Sequence, residues 1–106
     1  MLTRDEFAKL LNTKFEVEAA DGSLAGLVLE EVSELKQLKG SEHFSLLFRG
    51  PHETPLAQGI CQFKLEGTED MELFIVPVAR EEKGYLYESV FNMLRPAENS
   101  TANASQ

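Results

Sequence analysis

The sequence lacks most of the features that mark secreted, membrane-spanning and disulfide-bonded proteins. It has one cysteine, Cys61, so no disulfide can form within the chain, and a reducing compartment is the natural setting. Its longest apolar run, residues 73–79, is far shorter than the roughly 20 residues that a membrane-spanning helix needs. Residues 1–6 carry charges where a signal peptide would be apolar. We therefore expect a cytoplasmic protein that does not insert into a membrane.

Positive charge is also scarce. Ten lysine and arginine residues stand against eighteen aspartate and glutamate residues, which gives a formal net charge of −8. The basic residues are scattered, and only Lys36 and Lys39 come close to forming a patch. Because contacts to phosphate dominate the affinity of proteins for nucleic acids, this composition predicts no nucleic-acid binding.

Motifs of catalysis are missing too. The chain has no glycine-rich phosphate loop, no nucleophile elbow and no metalloprotease helix. Cys61 with His43 or His52 would supply the thiolate and the base of a nucleophilic pair. However, Cys61 shares a predicted strand face with Phe63 and Leu65, and a cysteine on such a face usually packs as a small apolar residue. We expect no enzyme activity and no cofactor.

The two histidines each have a glutamate neighbour, His43 beside Glu42 and His52 beside Glu53. Imidazole and carboxylate groups are ligands for divalent metals. Adjacent residues of a strand point to opposite faces, so neither pair can chelate an ion together. The acids that crowd the later turns lack the spacing of a calcium loop. The sequence therefore predicts no metal site.

The first predicted element is a short helix. Thr3 and Glu6 have capping-box spacing, in which each side chain accepts a hydrogen bond from the other residue's backbone N–H. A helix of about nine residues is marginal alone in water, so it has to dock on the rest of the domain. We expect it to end at Asn12 and to dock through Phe7, Leu10 and Leu11.

After residue 12 the spacing of apolar residues changes from the helical period of 3.6 residues to a period of two residues, which is typical of strands with one buried face. Asp21-Gly22 is a strong hairpin turn, and the glycine and two prolines within 50–55 predict a loop. The segments predicted as strands are 15–19, 27–32, 43–49, 58–65, 71–78 and 85–91.

Two segments depart from simple alternation. A bulge near residues 30–31 would restore the register of the second strand, and a helix over 30–38 is the alternative. Residues 71–78 are apolar on both faces, which predicts the most buried strand of the sheet. Pro77 cannot donate a ladder hydrogen bond, so that end of the strand is expected at an edge or a bulge.

These elements predict a mostly-β fold. Six antiparallel strands in meander order would close, or nearly close, into a barrel or a barrel-like sandwich, with the helix across one open end. One domain is expected over residues 1–95. Residues 96–106 have no apolar residue larger than alanine and are expected to be disordered.

The predicted core follows from the phase of the alternation. Val90 and Phe91 have opposite parity, so one of them is expected to face outward. The full set is Phe15, Val17, Leu27, Leu29, Phe44, Leu46, Phe48, Phe63, Leu73, Ile75, Val90 and Phe91.

Four segments carry a recognisable pattern: FSLLFRGP at 44–51, LAQG at 56–59, ELFIVPV at 72–78 and YESVFN at 87–92. The helix adds Phe7 and Leu10 in a Phe-x-x-Leu arrangement. Together they resemble a small bacterial domain family of uncharacterised function. Cys61 departs from the pattern, since the family tends to have an aromatic residue there.

That resemblance implies a β-rich barrel acting as an accessory or interaction module. Some members are encoded near phage-tail-like genes, which implies a role in such an assembly. It carries over no catalytic residue.

The function predicted is therefore non-catalytic binding of another protein, in a phage-tail-like or cell-surface assembly. The 50–59 loop is the longest irregular connection, and function concentrates on loops held by a rigid scaffold. Arg49, His52 and Gln58 would offer polar contacts there, and Leu47 an apolar anchor. Leu47 with Val28 would equally fit self-association through a sheet face.

The alternative function is a small-molecule-binding β-barrel. Seven phenylalanines and many leucines indicate that so narrow a barrel is filled by its own side chains. A connected cavity of about 300 Å³ or more, lined by convergent polar groups, would favour this alternative.

Overall fold

A computed structural model describes residues 2–94 of the chain. The predicted tail, 96–106, lies outside the described residues. One short helix precedes seven strands: α1 Arg4–Ala8, β1 Lys14–Glu18, β2 Leu24–Val32, β3 Lys36–Leu38, β4 Ser41–Gly50, β5 Gly59–Lys64, β6 Met71–Glu81 and β7 Gly84–Leu94.

Six of these strands form a closed antiparallel ring. The sheet runs β2-β1-β5-β6-β7-β4-β3, and the pairing of β2 with β4 closes it, so β3 is an addition outside the ring. The six-stranded barrel with an N-terminal helix is thus confirmed.

The strand order departs from a simple meander. β5 pairs with β1, and β4 pairs with β7. The departure arises at the 51–58 connection, where Leu56 is buried and its N–H donates to the Tyr87 hydroxyl. The chain then continues as β5 beside β1.

The barrel interior is filled by aromatic rings. Phe48 lies with its ring centroid 5.8 Å from that of Phe15 and 4.9 Å from that of Phe63. Ten of the predicted core residues are buried. Of the remaining two, Phe91 packs partly buried against the core and Val90 is the outward one, with 65% of its surface exposed.

The helix begins as predicted and ends early. The Glu6 N–H donates to Thr3 Oγ1 at 3.1 Å, and the Thr3 N–H donates to Glu6 Oε1 at 2.8 Å. Phe7 is buried and Leu10 packs against the core, but the prediction for Leu11 was wrong, because it is exposed. The helix ends at Ala8, and Asn12 adopts a φ of 68°. The turn between them carries Leu11 away from the side of the helix that packs on the core.

The segment after β2 is extended, and the helical alternative over 30–38 does not occur. The register of β2 against β4 shifts between Leu29 and Glu31, which is the predicted bulge. Beyond it, β3 pairs with the start of β4. Every β3 side chain is exposed, so no alternation marked this strand in the sequence.

The prediction that residues 71–78, which lie in β6, would form the most buried strand was wrong. Met71, Leu73 and Ile75 are buried, but Phe74 and Val78 are exposed. The apolar residues on the second face belong to the outside of a single-layered barrel, which nothing in the described chain covers. Pro77 lies at a register shift, as predicted.

Candidate functional site

The predicted site residue Arg49 is held between strands. It donates through Nε and Nη2 to both oxygens of Glu30, at 3.2 and 2.9 Å. Its Nη1 lies 2.7 Å from Glu81 Oε1 and donates to the Gly84 carbonyl at 3.2 Å. The hydrogen bond from Arg49 lowers the pKa of the Glu30 carboxyl and raises the pKa of Arg49 itself. Arg49 therefore joins β2, β4 and the β6–β7 hairpin.

The 51–58 loop is anchored to the same hairpin. His52 Nε2 lies 2.6 Å from the Glu81 carbonyl oxygen, and its ring meets Tyr85 edge-on at 5.7 Å. The Leu56 N–H donates to the hydroxyl of Tyr87 at 2.9 Å. Gln58 is exposed at the end of the loop. The structure thus brings Arg49 and His52 together at Glu81, where both make internal contacts.

Leu47 belongs to a different feature, an apolar area on the outside of the barrel. Ile60 and Phe74 are direct cross-strand partners. In the next row of outward side chains across the sheet, Glu88 on β7 lies between Val76 on β6 and Leu47 on β4. Directly paired residues have Cβ atoms about 5 Å apart, and successive rows lie about 7 Å apart.

Three of these outward side chains are strongly exposed: Ile60 at 57%, Phe74 at 50% and Val90 at 65%. Val90 is the outward neighbour of Glu88 along β7. Leu47 and Val76 are partly exposed. We call Leu47, Ile60, Phe74, Val76 and Val90 the outer apolar patch.

Four of the five patch residues were not predicted as site residues. The apolar run 71–78 was interpreted as a strand buried on both faces, which concealed Phe74 and Val76. The sequence did contain a signal for them. Side chains alternate between the two faces of a strand, so placing Leu73 and Ile75 inside the barrel places residues 74 and 76 outside.

The structure also contains clefts, which bear on ligand binding. One of about 500 Å³ is lined mainly by charged residues of β1 and β5 and by the 65–70 turn, including Lys14, Glu16 and Lys64. Its volume and polarity meet the criterion set above. However, Lys14, Glu16 and Lys64 are exposed, so it is an open groove on the outside of the barrel, whereas binding pockets usually bury most of their ligand.

The groups considered for catalysis and metal binding are dispersed. His43 contacts Ser41, with Nε2 2.8 Å from Oγ, near the start of β4, while His52 follows its end. The seven steps of extended chain from His43 to Gly50 span about 23 Å. Within residues 2–94, no three His, Cys, Asp or Glu side chains are placed to hold a metal ion.

Cys61 is buried on the core side of β5. Burial raises the pKa of its thiol, and the charge of Asp21 adds to the shift. A raised pKa keeps the thiol protonated at neutral pH, whereas the thiolate is the nucleophile.

We therefore expect Cys61 in the folded protein to resist iodoacetamide at neutral pH. Mass spectrometry of timed samples measures the single adduct, and the same protein in guanidinium chloride, which should label rapidly, is the control. Equal labelling rates in the two samples would contradict the assignment of Cys61 as a packing residue.

Among residues 2–94, no helix has the length and hydropathy to cross a bilayer.

A protein-family model, described as a domain of unknown function (DUF6916), matches residues 2–91. Neither the curated proteins nor the solved structures give a match.

Proposed function

We propose that this chain, which belongs to the DUF6916 family, is a non-catalytic module that binds another protein through the outer apolar patch. One observation carries the proposal: Phe74 and Ile60 lie side by side across β6 and β5 with half or more of each side chain exposed. Contiguous exposed apolar area on a small domain marks an interaction surface more often than isolated exposed residues do.

The rigidity of the scaffold supports this role. The patch lies on strands whose inner faces pack into the phenylalanine core, so its side chains are held in place before a partner arrives. A preorganised surface loses little conformational freedom on binding. Aromatic residues, phenylalanine among them, are also enriched at the buried centres of interfaces.

The setting of the module is part of the proposal. A chain with one buried cysteine suits a reducing, cytoplasmic compartment. The sequence resemblance points to a bacterial host and to assembly of a phage-tail-like or cell-surface structure.

Small-molecule binding is the second candidate, on the observation of the 500 Å³ cleft beside β1 and β5. Because aromatic rings fill the barrel interior, this candidate places the ligand on the outside of the barrel, in this open groove. Lys14 and Lys64 would then be its cationic contacts, with Glu16 opposing any anion.

The test compares wild type with an Ile60→Thr/Phe74→Thr double variant as bait in lysate of the native host. Threonine retains β propensity, so we expect the double variant to fold and to lose the proteins that wild type captures. The matched control is Leu24→Thr, which changes an exposed leucine on β2. Purified partners are then titrated against all three chains by calorimetry.

The patch is supported by loss of binding, by about tenfold or more, in the double variant alone. A hot-spot side chain is typically worth this much or more. If both variants bind like wild type, the patch is not the site. A ligand at the charged groove would instead be affected by Lys64→Ala and not by the double variant.

A further inference from the structure

We infer that the protein bound at the outer apolar patch presents an apolar centre surrounded by lysine and arginine side chains. This inference rests on the proposed function and adds the chemistry of the partner. It follows from the charges that border the patch.

The charged neighbours of the patch are mainly acidic. Glu88 lies between Leu47 and Val76 in the same row of the sheet. Glu31 is the cross-strand partner of Leu47 on its other side. Glu72 is the outward residue two positions before Phe74 and is exposed.

None of these three carboxylates forms an ion pair within the described residues 2–94. Within residues 2–94, the ion pairs are those of Arg4 with Asp5 and of Arg49 with Glu30 and Glu81. Glu72 accepts a hydrogen bond from the neutral amide of Gln62 at 2.7 Å.

The basic residues nearest the patch are offset by acids. Arg49 is the outward residue two positions after Leu47, but it is shared between two carboxylates. Lys36 lines a shallow cleft with Val90, and Glu34 and Glu88 line the same cleft. The field over the patch is therefore negative, and complementary charge at an interface raises the association rate and excludes like-charged partners.

The same charges argue against a second copy of this chain as the occupant. In a two-fold symmetric pair each patch would face its own copy. The carboxylates of Glu31, Glu72 and Glu88 would then meet carboxylates, in a chain whose net charge is −8. In a complex with a basic partner, the same carboxylates would instead face lysine and arginine side chains.

The experiment measures association rates between the purified partner and three chains over a series of salt concentrations. They are wild type, Glu72→Gln/Glu88→Gln, and Glu53→Gln/Glu66→Gln. The two double variants have the same net charge, and the control changes exposed acids of the 51–58 loop and of the β5–β6 turn. Sedimentation of wild type at two loading concentrations tests self-association in parallel.

We expect the patch-bordering variant to associate roughly tenfold more slowly at low salt, with a flatter salt dependence, because steering by local charge is screened by salt. The control should stay within about twofold of wild type. Equal effects of the two variants, or none, would overturn the inference while leaving the Phe74-dependent interaction intact. A dimer that the Ile60→Thr/Phe74→Thr variant dissociates would also overturn it. Failure of that variant to affect any interaction would overturn the proposed function itself.

Discussion

Replacing Phe48 by alanine is expected to lower the free energy of unfolding by about 3–5 kcal/mol, the usual loss for a phenylalanine in a filled core. Phe48 is fully buried and contacts the rings of Phe15 and Phe63. Because it lies at the centre of the barrel, strands on opposite sides cannot close over the space that the ring leaves.

Urea denaturation followed by circular dichroism measures this loss. The control is Phe74→Ala, the same change at a half-exposed position, which should cost about 1 kcal/mol or less. If the two variants lose similar stability, the inner and outer faces of the barrel have been assigned incorrectly.

A glycine produces the second large effect. Gly84 opens β7 with a φ of 130°, and a β-carbon built on it would collide with the backbone carbonyl oxygen of Gly50 on β4. Gly84→Ala therefore combines a disfavoured backbone conformation with a clash that only backbone movement relieves. We expect it to cost about 3 kcal/mol or more.

Gly67→Ala separates the two causes. Gly67 has a φ of 88°, but a β-carbon there meets no atom within 4 Å, so only the conformational cost of about 1–2 kcal/mol remains. Thermal unfolding of both variants measures the difference. A Gly84→Ala protein as stable as Gly67→Ala would mean that β4 and β7 are not in close contact there.

Much of the fold follows from local rules that the sequence displays. The capping box at Thr3 and Glu6, the turn at Asp21-Gly22 and the alternation of Phe44, Leu46 and Phe48 each depend on residues close together in the chain. The bulge after Leu29 was visible as a break in alternation. These features were predictable because neighbouring residues determine them.

The errors concern relations between distant segments. Whether β5 pairs with β4 or with β1 depends on the path of the 51–58 connection. Of residues 51–58 only Leu56 is buried, so no apolar alternation in the sequence specifies that path. Similarly, the apolar second face of β6 looks buried in the sequence, since nothing local shows that no second layer covers it. β3 was missed because its exposed residues carry no periodic signal.

The candidate site was only partly predictable for the same reason. Leu47 was identified from its parity, and it joins the outer apolar patch only through pairing of β4 with β7 and of β7 with β6. Arg49 and His52 were selected as polar residues near a loop. Their internal contacts to Glu81 became evident only once β6 was placed beside them.

Site-specific photo-cross-linking in the native host tests the central claim most directly. A photoreactive phenylalanine analogue is incorporated at position 74 in one strain and, as control, at the exposed Leu24 position in another. Our account predicts a discrete adduct to another protein from position 74 that is absent from position 24. No adduct at 74, or the same adducts at both positions, would contradict it.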